Sequence, residues 1–238
     1  MSEMDAPPKS RTAYVLERLR ADLQDGTINP GDQLRQTAIA KRYGVSPTPV
    51  REALRILAAD GTIDYTSHRG ATVRDFTPEM ARDLYRMRAE MEGLACEVAV
   101  ERMTDADYER VVAANQKLVT ATAEGADPTT LSLLNKQLHF SIYEATSSVM
   151  VEAIQMLWAR FKPSVTLWRV EQFSQALDHD HAAVLAALEQ RDGPAARAAM
   201  QAHVMHAWEL RQTSADLAAS GRPADEAGDE LADDAAAS

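Results

Sequence analysis

The chain has 238 residues, of which 45% are hydrophobic and 26% charged, and its formal net charge is −11 at pH 7. This length allows two modest domains with buried cores, and the low aromatic content, 5%, together with frequent Ala, Leu, Arg and Glu favours helices. No apolar run is long enough to cross a membrane, and the first residues lack the apolar core of a signal peptide. A single cysteine, Cys96, excludes an intrachain disulfide, so we expect a cytoplasmic protein.

The negative net charge argues against a nucleic-acid partner, but the distribution of charge reverses that conclusion. Residues 1–75 hold eleven Lys and Arg against ten Asp and Glu, whereas the rest of the chain holds fourteen against twenty-six. Between Arg35 and Arg55, five basic side chains accompany one acidic side chain, Glu52. A basic island in an acidic protein is typical of a segment that binds nucleic acid.

Apolar residues at helical spacing predict a first helix from Ser10 to about Leu23. A short second helix over 36–42 ends at Gly44, because glycine readily adopts the left-handed conformation at a helix exit. The third helix, 47–59, begins with two prolines at its first and third positions, where backbone N–H groups have no partner within the helix.

Two short segments after the third helix favour strand, with a tight link between them, at 62–65 and 71–74. The order helix, helix, turn, helix and paired strands is that of a winged helix-turn-helix. We therefore predict such a domain, with a small two-stranded wing, over residues 10–75.

Beyond the wing the pattern is helical only, and it predicts a second, all-α helical bundle over residues 76–213. The predicted helices span about 78–102, 105–124, 128–146, 149–160, 163–171, 174–190 and 194–213. The fold class is thus mainly α. Residues 214–238 are small and acidic and cannot bury a core, so we expect a disordered tail.

The first domain resembles the DNA-binding domain of GntR-family bacterial transcription regulators. The segments that carry this resemblance are Gly26–Leu34, Ala40, Gly44–Ser46, Thr48–Leu54, Gly61 and Arg69–Val73. The second half is similar, more loosely, to the ligand-sensing domain of the FadR subfamily, through Arg88 with Glu92, Asn135, His139, Asp180, His181, Asp192, Met200 and His203. The resemblance covers about residues 11–210. It implies a homodimeric regulator, most often a repressor, that binds double-stranded DNA and a small effector.

The winged-helix interpretation makes 47–59 the recognition helix, which enters the major groove of DNA. Arg51 and Arg55 share one face, and an arginine there can bind a guanine edge or grip a phosphate. The resemblance implies DNA contact for Thr48, Arg51 and the wing tip, Arg69 and Gly70. The remaining candidates for DNA contact are Arg35, Ser46, Arg55 and His68. Alternatives stay open, since Ser46 could only cap the helix and Arg51 could only pair with Glu52.

Two positions depart from the pattern of the family. Many relatives have arginine where this chain has Pro47, and an acidic residue followed by a basic one where it has Gln36 and Thr37. Loss of an arginine at the start of the recognition helix removes a DNA contact, so we expect an operator sequence that differs from those of relatives.

Asn135 and His139 lie four residues apart and project from the same face of a helix, while His181 and His203 lie on two later helices. The resemblance implies that these four residues hold a divalent transition metal such as zinc, nickel or manganese, with positions left for water or an effector. Asn is a weaker ligand than the Asp of many relatives. The alternative is a hydrogen-bonded polar pocket without a metal.

Arg88 falls among apolar residues in the middle of the first long helix of the second domain. Because relatives commonly sense small carboxylates, we expect Arg88 to bind the effector carboxylate, although pairing with Glu92 explains its position equally well. Trp168 is a weaker candidate for the effector site.

The leading hypothesis is a transcription regulator without enzymatic activity, which binds a palindromic operator as a homodimer and responds to a small carboxylate. A metal-dependent hydrolase or lyase that uses the Asn and His cluster is the alternative from another class, although no catalytic motif accompanies the cluster. An architectural DNA-binding protein without an effector is a third interpretation.

Overall fold

The computed structural model describes residues 10–24, 27–29, 31–59, 61–66, 70–74, 77–160 and 167–220. They divide into two units: the first takes in the residues up to Thr77, and the second takes in most of the chain from Pro78 onward. No helix in these ranges is both long and apolar enough to span a membrane.

The first unit contains three helices and three short strands. They are α1 (Arg11–Gln24), β1 (Gln33–Leu34), α2 (Gln36–Tyr43), α3 (Pro47–Ala59), β2 (Ile63–Thr66) and β3 (Gly70–Val73). The predicted wing is present as the antiparallel pair β2–β3, in which Ile63 lies opposite Val73. The third strand, β1, pairs with the other edge of β3 and makes the sheet three-stranded rather than two-stranded. A two-residue strand is too short to show an alternating pattern, so the sequence does not predict it.

The helices of the first unit pack around one apolar core. Val15 and Leu19 of α1 and Leu54 and Leu57 of α3 are fully buried in it, together with Ile63 of β2. Between α2 and α3 the chain turns at Gly44, whose φ of 67° is in the left-handed region and whose N–H donates to the carbonyl of Ala40. The predicted helix exit is thus confirmed.

The second unit contains only helices among its described residues. They are α4 (Pro78–Arg102), α5 (Asp105–Ala123), α6 (Pro128–Tyr143), α7 (Ser148–Ala159), a 3-10 turn (Leu167–Arg169), α8 (Glu171–Glu189) and α9 (Gly193–Ser220). Helix α6 begins at its predicted position, where the side chain of Asp127 caps the helix by accepting hydrogen bonds from the N–H groups of Thr129 and Thr130.

Most predicted helix ends of the second unit agree with the structure to within three residues, and two predictions differ by more. The helix predicted over 163–171 is a 3-10 turn at 167–169, because Val170 adopts an extended conformation (φ −112°, ψ 116°) and α8 begins directly after it; residues 163–166 lie outside the described ranges. Helix α9 continues to Ser220, so the part of the expected tail at 214–220 is helical, and the remainder is not described.

Helices α4 and α9 approach each other closely at Gly93. A Cβ atom at this position would lie 2.7 Å from Cγ of Gln201 and 3.1 Å from the carbonyl oxygen of Arg197, both on α9. This close approach matters for the site, because the residue just before Gly93 on α4 is Glu92 and α9 carries His203.

Candidate functional site

The exposed face of α3 presents the predicted recognition residues. Ser46, Thr48, Arg51 and Arg55 are all exposed, while Pro49 and Val50 face the core. Glu52 accepts from Nε of Arg51 and from Nη1 of Arg55, both at 3.4 Å and at the surface. Exposed pairs of this kind contribute at most about 1 kcal/mol, so both arginines can exchange Glu52 for a nucleic-acid partner.

The other predicted DNA-contact residues lie on the edges of the same unit. Arg35 is exposed and immediately precedes α2, and Gly70 is exposed at the start of β3 with a φ of 86°. His68 and Arg69 lie outside the described residues. Among the predicted DNA-contact residues that the structure describes, the arginines at 35, 51 and 55 are all exposed.

A buried carboxylate, which the sequence analysis did not single out, joins α1 to α2. Asp22 accepts a 2.6 Å hydrogen bond from the hydroxyl of Tyr43 and lies 2.9 Å from Nη2 of Arg42. Burial and the bond to Asp22 raise the pKa of Tyr43 well above its ordinary value, so the hydroxyl stays a donor. The network fixes the end of α2 just before the turn into α3, and it occupies Arg42, one member of the basic island.

Three buried histidines from three helices meet in the second unit. His139 of α6, His181 of α8 and His203 of α9 are 1–4% exposed, and one ring nitrogen from each lies within 4.8 Å of the other two. Nε2 of His139 and Nε2 of His203 are 3.2 Å apart. No other group of three potential metal ligands occurs among the described residues.

Carboxylates face the opposite ring nitrogens of two of these histidines, His139 and His203. Nδ1 of His139 is 3.2 Å from Oε2 of Glu92, and Nδ1 of His203 is 3.4 Å from Oδ2 of Asp180. Such contacts place the ring proton on Nδ1 and leave the Nε2 lone pair directed toward the other imidazoles. Burial lowers the pKa of His139 to about 4 and that of His181 well below its usual value, so both rings are neutral near pH 7.

Glu92, on α4, accepts hydrogen bonds from several side chains in the interior of the second unit. Its Oε1 accepts from Nε of Arg88 at 2.6 Å and from Nε1 of Trp158 at 3.0 Å, and its Oε2 accepts from the hydroxyl of Tyr143 at 2.6 Å. Burial opposes ionisation of Glu92, but the Arg88 charge and the His139 contact outweigh it and hold the pKa of this carboxyl below its ordinary value. The sequence pointed to Glu92 only as the partner of Arg88.

Arg88 is buried, and its guanidinium lies over the ring of Trp158, 4.4 Å from the centroid, and near Tyr85. Together with the Nε bond to Glu92, this geometry corresponds to the alternative that the sequence left open, an internal ion pair. Trp168 is buried in the 3-10 turn, which packs against α6, α8 and α9, the helices that carry the three histidines.

Asn135 lies one turn before His139 on α6, and its side-chain oxygen is buried without a hydrogen-bond partner among the described residues. An unsatisfied buried oxygen of this kind is costly unless another group completes it. The other two histidines of this unit lie outside the cluster: His179 is exposed, and Nδ1 of His206 is 2.8 Å from Asp180, which raises the pKa of His206.

A winged helix-turn-helix unit followed by an all-helical unit is the architecture of a class of DNA-binding transcription regulators. The family comparisons agree with this class: residues 11–73 match the model of the bacterial regulatory proteins of the gntR family, and residues 83–206 match the FCD domain. The chain belongs to the GntR family of bacterial regulatory proteins, and its FCD domain fits the FadR-like subfamily.

Individual relatives support the same assignment. The chain is 28% identical to the HTH-type transcriptional regulator McbR of Escherichia coli over 77% of this chain and 84% of that protein. It is 29% identical to the gluconate operon transcriptional repressor of Bacillus subtilis, over 76% of each. The match to the B. subtilis regulator YdhC, 30% identical, spans 54% of this chain and 58% of that protein. The solved structure of E. coli McbR superimposes with a TM-score of 0.71 at 26% identity, covering 85% of this chain and 98% of that one.

Proposed function

We propose that this transcription regulator is a metabolite-responsive repressor that binds a palindromic operator as a homodimer and senses a small carboxylate through a bound divalent metal. The observation that carries the sensing part is the convergence of three buried histidine ring nitrogens. A relative that shares 29% identity is named as the repressor of a gluconate operon, and gluconate is itself a small carboxylate.

The residues at the cluster fit a metal of this class. With the ring protons of His139 and His203 on Nδ1, the two Nε2 lone pairs face each other at 3.2 Å, an arrangement that a cation between them would stabilise. Metal–nitrogen bonds of about 2.0–2.1 Å at tetrahedral or octahedral angles place two ligand nitrogens about 2.9–3.4 Å apart, which includes this distance. Zinc, nickel or manganese would be held by His139, His181, His203 and the side-chain oxygen of Asn135.

When bound, the metal would supply a Lewis-acidic position for one carboxylate oxygen of the effector. The role of the protein is to keep the imidazoles neutral, oriented and shielded from bulk water. Arg88 contributes through Glu92, which it holds in place against His139. Trp168 would form part of the apolar wall around the effector.

DNA binding by one small domain is weak, and acidic residues elsewhere in the chain oppose it. A two-fold dimer that reads a palindrome doubles the contacts of Arg51, Arg55 and Thr48. Repression that is relieved by the effector requires that the effector bind more tightly to the conformer that does not fit the operator.

The test measures binding of the protein to its own upstream intergenic DNA by fluorescence anisotropy. Zinc-loaded wild type, His139→Ala and the matched control His179→Ala are titrated with hydroxy acids, sugar acids and fatty acyl derivatives. We expect all three proteins to bind DNA at low salt, and a carboxylate to release only the wild type and His179→Ala.

Three other results would contradict parts of this proposal. An equal response of His139→Ala would remove the histidine cluster from sensing. Binding that no compound affects would support an architectural protein. Absence of binding, combined with metal-dependent turnover, would support the hydrolase or lyase alternative.

A further inference from the structure

His181 differs from the other two histidines of the cluster. Nδ1 of His139 faces Glu92 at 3.2 Å and Nδ1 of His203 faces Asp180 at 3.4 Å, but neither ring nitrogen of His181 has a hydrogen-bond partner among the described residues. The ring is only 2% exposed. A neutral buried imidazole carries its proton on one nitrogen, and an N–H that is buried without an acceptor destabilises the folded state.

The nearest carboxylate to His181 is Asp178, three residues earlier on α8. Its Oδ1 is 4.0 Å from Nδ1 of His181, too far for a hydrogen bond. This oxygen is itself buried and has no partner among the described residues. An unpaired donor site and an unpaired acceptor therefore face each other across one helical turn.

We infer that Asp178 is the positioning residue for His181, the third member of a set in which each metal-binding imidazole is oriented by its own carboxylate. With the proton of His181 directed to Asp178 from Nδ1, its Nε2 joins those of His139 and His203. All three rings then present the same nitrogen to the metal.

This assignment rests on the proposed metal site and adds to it. The four proposed ligands, three imidazoles and the amide oxygen of Asn135, carry no negative charge. Negative charge near the cation must then come from outside the ligand set, and Asp178 adds to that of Glu92 and Asp180. Orienting carboxylates of this kind typically change metal affinity 10–100-fold.

The experiment titrates the metal-free full chain with Co²⁺, followed by its visible absorption and by calorimetry. Asp178→Asn removes the acceptor charge, and Glu189→Gln removes a charge from an exposed position on the same helix as a matched control. His181→Ala gives the effect of losing a ligand. Thermal melting of each metal-free variant checks that the fold is kept.

We expect Asp178→Asn to bind Co²⁺ about 10–100-fold more weakly than wild type with an unchanged absorption maximum, and Glu189→Gln to match wild type. Affinity of Asp178→Asn within twofold of wild type would overturn the assignment. A loss as complete as that of His181→Ala, with a shifted absorption maximum, would make Asp178 a ligand and would overturn it also.

The two proposals fail in different ways. If the wild type takes up no Co²⁺ or Zn²⁺, the metal site is refuted, and the role of Asp178 with it. If metal binds and Asp178→Asn weakens it as expected, but no carboxylate affects DNA binding, only the proposed sensing function fails.

Discussion

Glu92→Gln tests the buried ion pair at the centre of the second unit. Glu92 is fully buried and its Oε1 lies 2.6 Å from Nε of Arg88, which is 7% exposed. The substitution keeps the shape of the side chain and leaves the Arg88 charge without a counterion inside the unit. Removing one partner of a buried pair costs about 3–5 kcal/mol, so we expect a loss of this size in the free energy of unfolding at pH 7.

The effect of Glu92→Gln depends on pH in a direction that the pKa of Glu92 sets. This pKa lies below its ordinary value in the folded protein, so the stabilisation is complete above the unfolded-state pKa, about 4.3, and is lost as the pH falls toward the folded-state value. We therefore expect the difference between wild type and Glu92→Gln to be largest near neutral pH and to shrink below about pH 4.

Urea unfolding followed by circular dichroism measures both effects. Glu90→Gln is the control, because Glu90 is exposed on the same helix and pairs with Arg197 at 3.2 Å, a pair worth at most about 1 kcal/mol. Replacing both partners, Arg88→Met with Glu92→Gln, should recover part of the loss, since no unpaired charge remains. A cost for Glu92→Gln no larger than that for Glu90→Gln would refute the reasoning.

Three further predictions concern other parts of the chain. Arg51→Ala should weaken operator binding by about 1–3 kcal/mol in an anisotropy titration if Arg51 contacts a base. If Arg51 contacts a phosphate, the substitution should instead reduce the slope of log affinity against log salt concentration by about one. The control Arg102→Ala, on α4, should change neither the affinity nor the slope. Gly93→Ala should destabilise the protein by about 1–3 kcal/mol in thermal or urea unfolding, because its Cβ would lie 2.7 Å from Cγ of Gln201; an unchanged midpoint would contradict this packing. The pKa of His139, about 4, is below the ordinary value, so the metal-free protein should lose stability as the pH falls from about 6.5 toward 4, by up to about 1.4 kcal/mol per pH unit for this group; His139→Gln should flatten that dependence.

In the first unit, the helices and the paired strands could be predicted from the local preferences of individual residues. The prolines at the start of α3 and the glycine at 44 act through their own backbone preferences, so the sequence located this helix correctly, over 47–59. The pair β2–β3 followed from short β-favouring segments. Strand β1 did not, because it exists only through its pairing with β3.

In the second unit, the sequence alone determined that the chain is helical and which polar residues deserved attention. It could not distinguish His181 from His179 by spacing, nor say whether Arg88 faces a ligand or Glu92. Only tertiary packing decides these points, because residues 139, 181 and 203 meet through the packing of three helices that are distant in sequence. The same packing makes Glu92 a shared acceptor and leaves Asp178 facing an unpaired histidine, since burial removes the water that would otherwise satisfy these groups.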